Sequence, residues 1–579
     1  MTASTPCSIK LNKKMAEEDD DDEATVDQVT SNFEGGQTAL ERAKSNSTRA
    51  ASFVDQQEQT DNTASTGDEK KRTLVDWNGP DDEENPMNFG YFRKWAITMI
   101  CSVGALCVAC SSSIYTATYT GMMKEFGANQ EEVITGLTVF VFGMGAGPMF
   151  YAPLSEFYGR RIIYIISFFF YIVFQFPIAF SKNITAVLVN RLLAGLSGSA
   201  FMSVAGGTVS DLFQKSQLGK PMMAFTAAPF LGPSIGPLMG DFIVHGCGWR
   251  WVFYIMIIWS FVMTLLIVFC VPETYAPVLL RRKAQRIRKQ TGDFSNIAPI
   301  ELIDRSVLAT VLFSVRRPFE LLFLEPMVFC LCLFTSIILG IMYLFFQAFT
   351  LVFENNHGFK PQHVGLSFMG LLTGIILGVL TEPFWKRNYD RLSQTRGNGV
   401  GKPEYRLPQA MAGGVFTPIG MFWFAFTTYK GIHYIVPIIG SVPFGFGIIL
   451  VFSGVFTYLV EAYRPYSASA LAANGFLRSS FAAGFPLFSV QMYNKLGYAW
   501  ASALLAFLIL MCSPFPFVFF VYGEKLRKRS KFAWTIPDDE QTLSQNPQED
   551  HSTPCDNNIH ETDIRMDESA KAENKTETV

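Results

Sequence analysis

Ten residues from Ala152 to Arg161, APLSEFYGRR, place a hydroxyl, a carboxylate and two guanidinium groups between two apolar runs. Such a set can form ion pairs, and its carboxylate can sit against a helix N-terminus, which carries a partial positive charge. Two more arginines, Arg191 and Arg478, lie well inside apolar runs, while Asp211 and Asp241 lie near the ends of two others. An ionisable group at the centre of a bilayer costs roughly 2.5–3.5 kcal/mol on insertion scales, so each such group is expected to have a partner or a task. Arginine does not release its proton usefully. A mobile proton would therefore sit on a carboxylate, with Asp241, Glu156 and Asp211 as candidates. Other chemistry is poorly provided for. The six histidines do not cluster with ligand spacing, and the ten cysteines are scattered without a metal-type pattern. No metal site, cofactor or enzymatic activity is expected.

The elements that hold these residues follow from composition. Charged residues are only 17% of the 579-residue chain, and Phe alone contributes 54. Soluble domains carry about 25% charge, so lipid is the expected solvent. A membrane-crossing helix needs about 20 apolar residues. Candidates fall near 95–119, 134–153, 162–180, 184–208, 222–243 and 249–271, then near 327–351, 364–381, 409–428, 432–460, 467–490 and 498–521. That is six spans, a charged break from Pro272 to Glu325, and six more. The expected fold class is an all-α membrane protein of two six-helix bundles. The boundaries are a tail over 1–92, a bundle over 93–275, a basic central loop over 276–325, a second bundle over 326–522, and a tail over 523–579. Both tails are polar, the first with an acidic block EEDDDDE at 17–23. Segments of that kind cannot bury enough apolar surface to fold, so both are expected to be disordered.

Lysine and arginine bias sets orientation. One side collects Arg160, Arg161, Lys215 and Lys220, the central RRKAQRIRKQ, and six basic residues between Lys386 and Arg406. The other side has about one basic residue per loop, such as Lys124, Lys182 and Lys495. Both termini and the central loop are therefore expected in the cytoplasm, with the basic stretch along the inner leaflet. The sequon at Asn183–Thr185 would face outward but close to the membrane, a poor glycosylation site. Two bundles of this kind can rock about a central site and expose it to alternate sides. No phosphate-cradling GxxxxGK[ST] loop occurs, so an ion gradient, not ATP, would drive them.

The 152–161 loop resembles the signature loop between the second and third spans of the major facilitator superfamily. RLLAG at 191–195, the Gly/Pro series of span 5, PETYAPVLLRRKAQRIRKQTG at 272–292, EYRLP at 404–408, YLVEAYRPYSASA at 458–470 and FPLF at 485–488 resemble the twelve-span fungal drug:proton antiporters. The likeness covers about residues 76–534. It implies proton-coupled export of drugs and related small organic compounds across the plasma membrane. Polyamine or endogenous-metabolite export is the alternative, and a non-transporting sensor a remoter one. Expected partners are small-molecule substrates, protons and the lipid bilayer, with no nucleic acid and a monomeric protein.

The resemblance also implies roles. Glu156 would be a latch carboxylate facing the start of span 11 near Ser467, with Gly159 turning the chain, Arg160 and Arg161 beside it, and Asp211 as a second anchor. Ala152 stands where the family has glycine, and Glu156 where it more often has Asp. Arg191 is linked to proton coupling, with Asp241 as one candidate carrier whose pKa it would set. In PFLGPSIGPLMGDF, Gly232, Pro233, Gly236, Pro237 and Gly240 follow the antiporter pattern of span 5. Residues four apart share one helix face, and a glycine stripe lets a neighbouring helix approach closely. A cavity lined by Tyr115, Tyr119, Tyr343, Phe346, Gln347, Asn474 and Arg478 is expected to hold moderately apolar compounds. A cation would want a carboxylate at mid-depth, and none is present.

Overall fold

The computed structural model describes residues 73–533 apart from 80, 215–216, 303–306 and 398–400. Most of the two expected tails, including the acidic block, lies outside the described residues. Ten helical stretches are long and apolar enough to cross a membrane: Tyr91–Phe126, Gln130–Tyr158, Arg160–Phe180, Ile184–Leu212, Gly219–Cys247, Arg250–Cys270, Pro326–Asn355, Gly365–Arg396, Ile435–Ala462 and Tyr498–Arg529. Leu407–Phe426 and Ser467–Leu496 are two further long helices. The second of these carries Asn474, Arg478 and Lys495, which dilute its hydropathy. In chain order these twelve are spans 1 to 12.

Short polar links and caps set the span boundaries. Asn129 and Glu132 form a reciprocal capping box at the start of span 2. Asn183 caps span 4 by accepting the Thr185 N–H at 2.9 Å, which ties up the side chain of the sequon. Span 2 continues as helix through Pro153 to Tyr158, so the turn expected to begin at Pro153 is confined to Gly159. Gly159 has φ +96°, and a Cβ there would run into the Glu273 carboxylate; only glycine suits both demands.

The central segment is not a plain loop. It holds a helix over Ala276–Thr291 and another over Val307–Leu324. The first linker helix receives the chain preceding span 1. Thr73–Leu74 pairs in parallel with Asn296–Ile297, and Val75 packs on Ala284 and Ala298. Lys283 reaches the Asp76 carbonyl, Asn78 and Asp82 at 3.0–3.2 Å. Residues 73–79 and 81–92, expected in a tail, are thus structured, because they supply an apolar residue and anionic ligands to this helix. The second linker helix runs into span 7 through Glu325. It packs against both the end of span 2 and span 11, with Phe319 on Phe476 at 5.2 Å and Arg317 over the Tyr466 ring at 4.1 Å.

Candidate functional site

At the end of the bundles carrying the linker helices, the signature loop is organised around two residues. Arg160 donates from Nε to Asp211 at 3.1 Å and from Nη1 to the Ser155 hydroxyl at 2.6 Å. Its guanidinium also lies 4.6 Å over the Tyr275 ring. Glu273, the second residue of the PETYAP stretch, accepts the backbone N–H groups of Arg160 and Arg161 at 2.8 and 3.3 Å, and those of Thr274 and Tyr275 at 3.1 Å. A carboxylate on the first amides of span 3 neutralises the positive end of its dipole. Arg161 turns away to the Val268 carbonyl at 2.7 Å. Glu156 is exposed and takes part in none of the ion pairs among the described residues. The Tyr275 phenol is pushed up by burial first and by the nearby Glu156 charge second. Span 11 starts with Ser467 as its first helical residue, and its cap is Tyr466 without a side-chain bond. The expected Ser467 cap is therefore displaced by one residue, and the structure does not pair Glu156 with that helix.

The second bundle repeats the arrangement with different residues. Arg406 pairs with Glu461 at 2.7 Å and stacks 3.7 Å over Tyr389. Gln409 donates to Glu382 at 2.9 Å. Glu404 and Arg527, 6% and 4% exposed, form a two-pronged pair at 2.7 and 3.0 Å. The Arg527 end of span 12, assigned to a tail from sequence, is thereby built into the bundle.

At the opposite end the bundles meet. Asp241 of span 5 accepts the Gly365 N–H at the start of span 8 at 2.7 Å. Thr138 of span 2 donates to the Ala483 carbonyl of span 11 at 2.7 Å, and Gln491 of span 11 hydrogen-bonds Glu131. Nearer mid-depth, Ser112 of span 1 and Tyr343 of span 7 share a 2.9 Å hydrogen bond. These hydrogen bonds joining the two bundles lie from mid-depth towards the end away from the linker helices. Gly232, Gly236 and Gly240 face span 1. A Cβ on Gly232 would come 2.8 Å from the Cys110 nitrogen, one on Gly236 2.7 Å from the Ile114 nitrogen, and one on Gly240 2.9 Å from Ala117. Ser113 donates to the Gly232 carbonyl at 3.1 Å across the same contact. Span 5 remains helical through Pro229, Pro233 and Pro237.

The two intramembrane arginines have opposite surroundings. Arg191 is fully buried and donates to the carbonyls of Gly136, Ser111 and Ser112 at 3.0–3.5 Å. Its guanidinium lies between the rings of Tyr115 and Phe140, at 4.1 and 4.2 Å. No carboxylate is among these partners, so the structure does not bring Asp241 to Arg191. Tyr115 is likewise committed inside the first bundle, donating to the Val133 carbonyl at 3.0 Å, and it does not reach the seam. Arg478 sits between the bundles, with Phe230 of span 5 at 5.9 Å and Phe452 and Phe456 of span 10 at 5.4 and 5.3 Å. Asn474 donates to Thr335 at 2.8 Å. Tyr343 and Phe346 are in edge contact at 5.2 Å, and Phe346 also packs on Phe368. Buried polar atoms in these spans that lack partners include Ser234 Oγ, Asn474 Oδ1 and Arg478 Nε. No His, Cys, Asp or Glu cluster able to hold a metal occurs among the described residues.

Sequence reasoning missed Glu273, the Phe230/Phe452/Phe456 cluster and the Glu404–Arg527 pair. An acid directly after span 6 was a usable signal for Glu273. The other two depend on contacts between distant segments.

Two six-span bundles around a mid-membrane polar seam, with a charged clasp at one end of each, make a secondary transporter, not an enzyme. The match of residues 101–486 to the Major Facilitator Superfamily model identifies the chain as a member of that family. It is 48% identical over 465 residues to the "Efflux pump atB" of Aspergillus terreus, covering 79% of this chain and 90% of that protein. It is 41% identical to the "Probable drug/proton antiporter YHK8" of Saccharomyces cerevisiae, covering 78% and 88%. Among solved structures, the xylose transporter XylE from E. coli, in a partially occluded inward-open conformation, superposes with a TM-score of 0.53 at 16% identity. That match covers 74% of this chain and 99% of that one, and it bears on the fold alone.

Proposed function

We propose that the protein is a proton-coupled antiporter that exports drugs and related small organic compounds across the plasma membrane by alternating access. The kinship over about four-fifths of the chain with fungal proteins named as efflux pumps and a drug/proton antiporter carries this reading. The Lys/Arg bias of the loops supports placing the linker helices and both termini in the cytoplasm. The hydrogen-bonded end then faces outward, and the arrangement described is one closed to the outside. The protein works as a monomer.

In this reading Asp241 carries the proton. While ionised, it holds the Gly365 amide and keeps the outer seam closed. Protonation removes the charge and weakens that contact, so the bundles part at the outer end. Arg191 supports the cycle indirectly, by tying span 4 to the carbonyls of spans 1 and 2. Glu156 acts as a latch only when the linker end closes. In vesicles holding the purified protein, uptake or efflux of a test compound should follow an imposed pH gradient and vanish with a protonophore. Asp241→Asn should uncouple it. Gradient-driven transport surviving in Asp241→Asn would remove Asp241 from the role of carrier.

A further inference from the structure

A guanidinium within a membrane protein must find acceptors. Arg191 finds three backbone carbonyls, and its charge is thereby accounted for. Arg478 lies on span 11 eleven residues from Ser467, about 16 Å along the helix, and its case differs. Its Nε is buried without a partner, and it enters no ion pair among the described residues. Its titratable neighbours are Tyr343 and Cys332, not carboxylates. Its guanidinium also faces phenylalanine rings from both bundles, and two of these, Phe230 and Phe452, touch across the seam at 4.6 Å. Ring faces attract the cation, but they cannot accept the in-plane hydrogen bonds that a guanidinium offers to a planar anion. One turn along each helix lies a further buried polar side chain with an unmatched atom: Asn474, which is 0% exposed, four residues before Arg478, and Ser234, 1% exposed, four residues after Phe230.

We infer that this seam is a binding site for aromatic organic anions, in which Arg478 takes the substrate carboxylate and Phe230, Phe452 and Phe456 take its ring. The assignment rests on the exporter reading above and names its substrate class. Substrates of this kind are weak acids with one apolar ring system, not polyamines. A polyamine would bring positive charge against an unpaired arginine. Because Phe230 belongs to one bundle and Arg478, Phe452 and Phe456 to the other, a bound anion contacts both, as a substrate that must move with the seam requires. Asn474 positions the group through its bond to Thr335 and offers its free carbonyl to a hydroxyl or protonated acid.

The test uses the purified full-length protein in detergent, with 2-naphthoate, 2-naphthamide and 2-naphthylmethylammonium as anionic, neutral and cationic probes of one shape. Binding is read by intrinsic tryptophan fluorescence and calorimetry. Naphthoate should bind more tightly than either counterpart. Arg478→Gln should lose about tenfold or more of naphthoate affinity, the scale of one charge-assisted hydrogen bond, with naphthamide binding held. Arg478→Lys should restore part of the loss. Equal binding of the three probes, no naphthoate binding, or a parallel loss of all three in Arg478→Gln would overturn the assignment. Export is tested separately in vesicles. Naphthoate binding without gradient-driven movement would sink the exporter reading and leave the anion site standing. Gradient-driven movement of the cation, with naphthoate ignored, would do the reverse.

Discussion

The two bundles carry the same clasp, built from different residues and closed to different degrees. In the first, Arg160 pairs with Asp211 under Tyr275, and in the second Arg406 pairs with Glu461 over Tyr389. Each joins the start of its bundle's third span to the end of its fourth. The acids around them differ. Three acids of the second clasp are engaged, Glu382 by Gln409, Glu461 by Arg406, and Glu404 by Arg527 in a pair almost out of reach of solvent, while Asp390 beside Tyr389 is exposed. The first clasp uses Glu273 on backbone amides and leaves Glu156 exposed. The second clasp holds a buried ion pair that the first lacks. Under the proposed transport cycle, Glu156 is the charge of the first clasp left for a partner in another arrangement of the bundles.

If that contrast is right, the largest effect of breaking a contact belongs to the second clasp. Arg527→Ala leaves the Glu404 carboxylate buried without its partner, which should cost roughly 3–5 kcal/mol. The thermal midpoint of the purified protein would show it, with a double replacement of Glu404 and Arg527 by Gln and Met recovering much of the loss. Glu273→Ala should be milder. It removes a carboxylate from the start of span 3, a change on the scale of an N-cap loss of about 1 kcal/mol, and it should lower both midpoint and transport. Glu156→Ala should leave the midpoint within about 0.5 kcal/mol, as surface changes without contacts do. It should slow export while substrate affinity stays intact. Loss of affinity with turnover preserved would move Glu156 from the latch to the substrate site.

The smallest effect lies outside both clasps, where Asp82 fastens the segment before span 1 to the first linker helix. The amides of Asn78 and Glu84, and then Lys283, hold its carboxyl at about 2, below its ordinary 3.8. A depressed carboxyl stabilises the docked state above its unfolded pKa and loses that contribution as pH falls towards 2. The protection factors of residues 73–78, with the intrinsic pH dependence of amide exchange divided out, should therefore be flat from pH 7 to about 4 and fall below. Asp82→Asn should remove that dependence.

The architecture was legible in the sequence because its signals are local. Apolar length marks the spans, and four-residue spacing in span 5 predicts a glycine face that the structure sets against the backbone of span 1. Pairings between distant segments were not legible. Nothing near Asp241 announces Gly365, 124 residues on, and nothing near Glu404 announces Arg527. The device expected at Glu156, a carboxylate across the seam on a helix start, does occur, but at the other end and with Asp241. The second linker helix escaped notice because Arg316, Arg317, Pro318 and Glu320 interrupt its apolar pattern. It instead packs on the end of span 2 and on span 11, with Phe319 on Phe476.

That second linker helix has a pharmacological consequence. At 18 residues it is about 27 Å long. It rests on both bundles at the linker end and is joined to span 7 by Glu325 alone, so the bundles cannot change places beneath it without sliding along its surface. A molecule that fixed this helix to both would stall export while leaving the substrate pocket empty. Such inhibition would be non-competitive, and raising the substrate concentration would not relieve it.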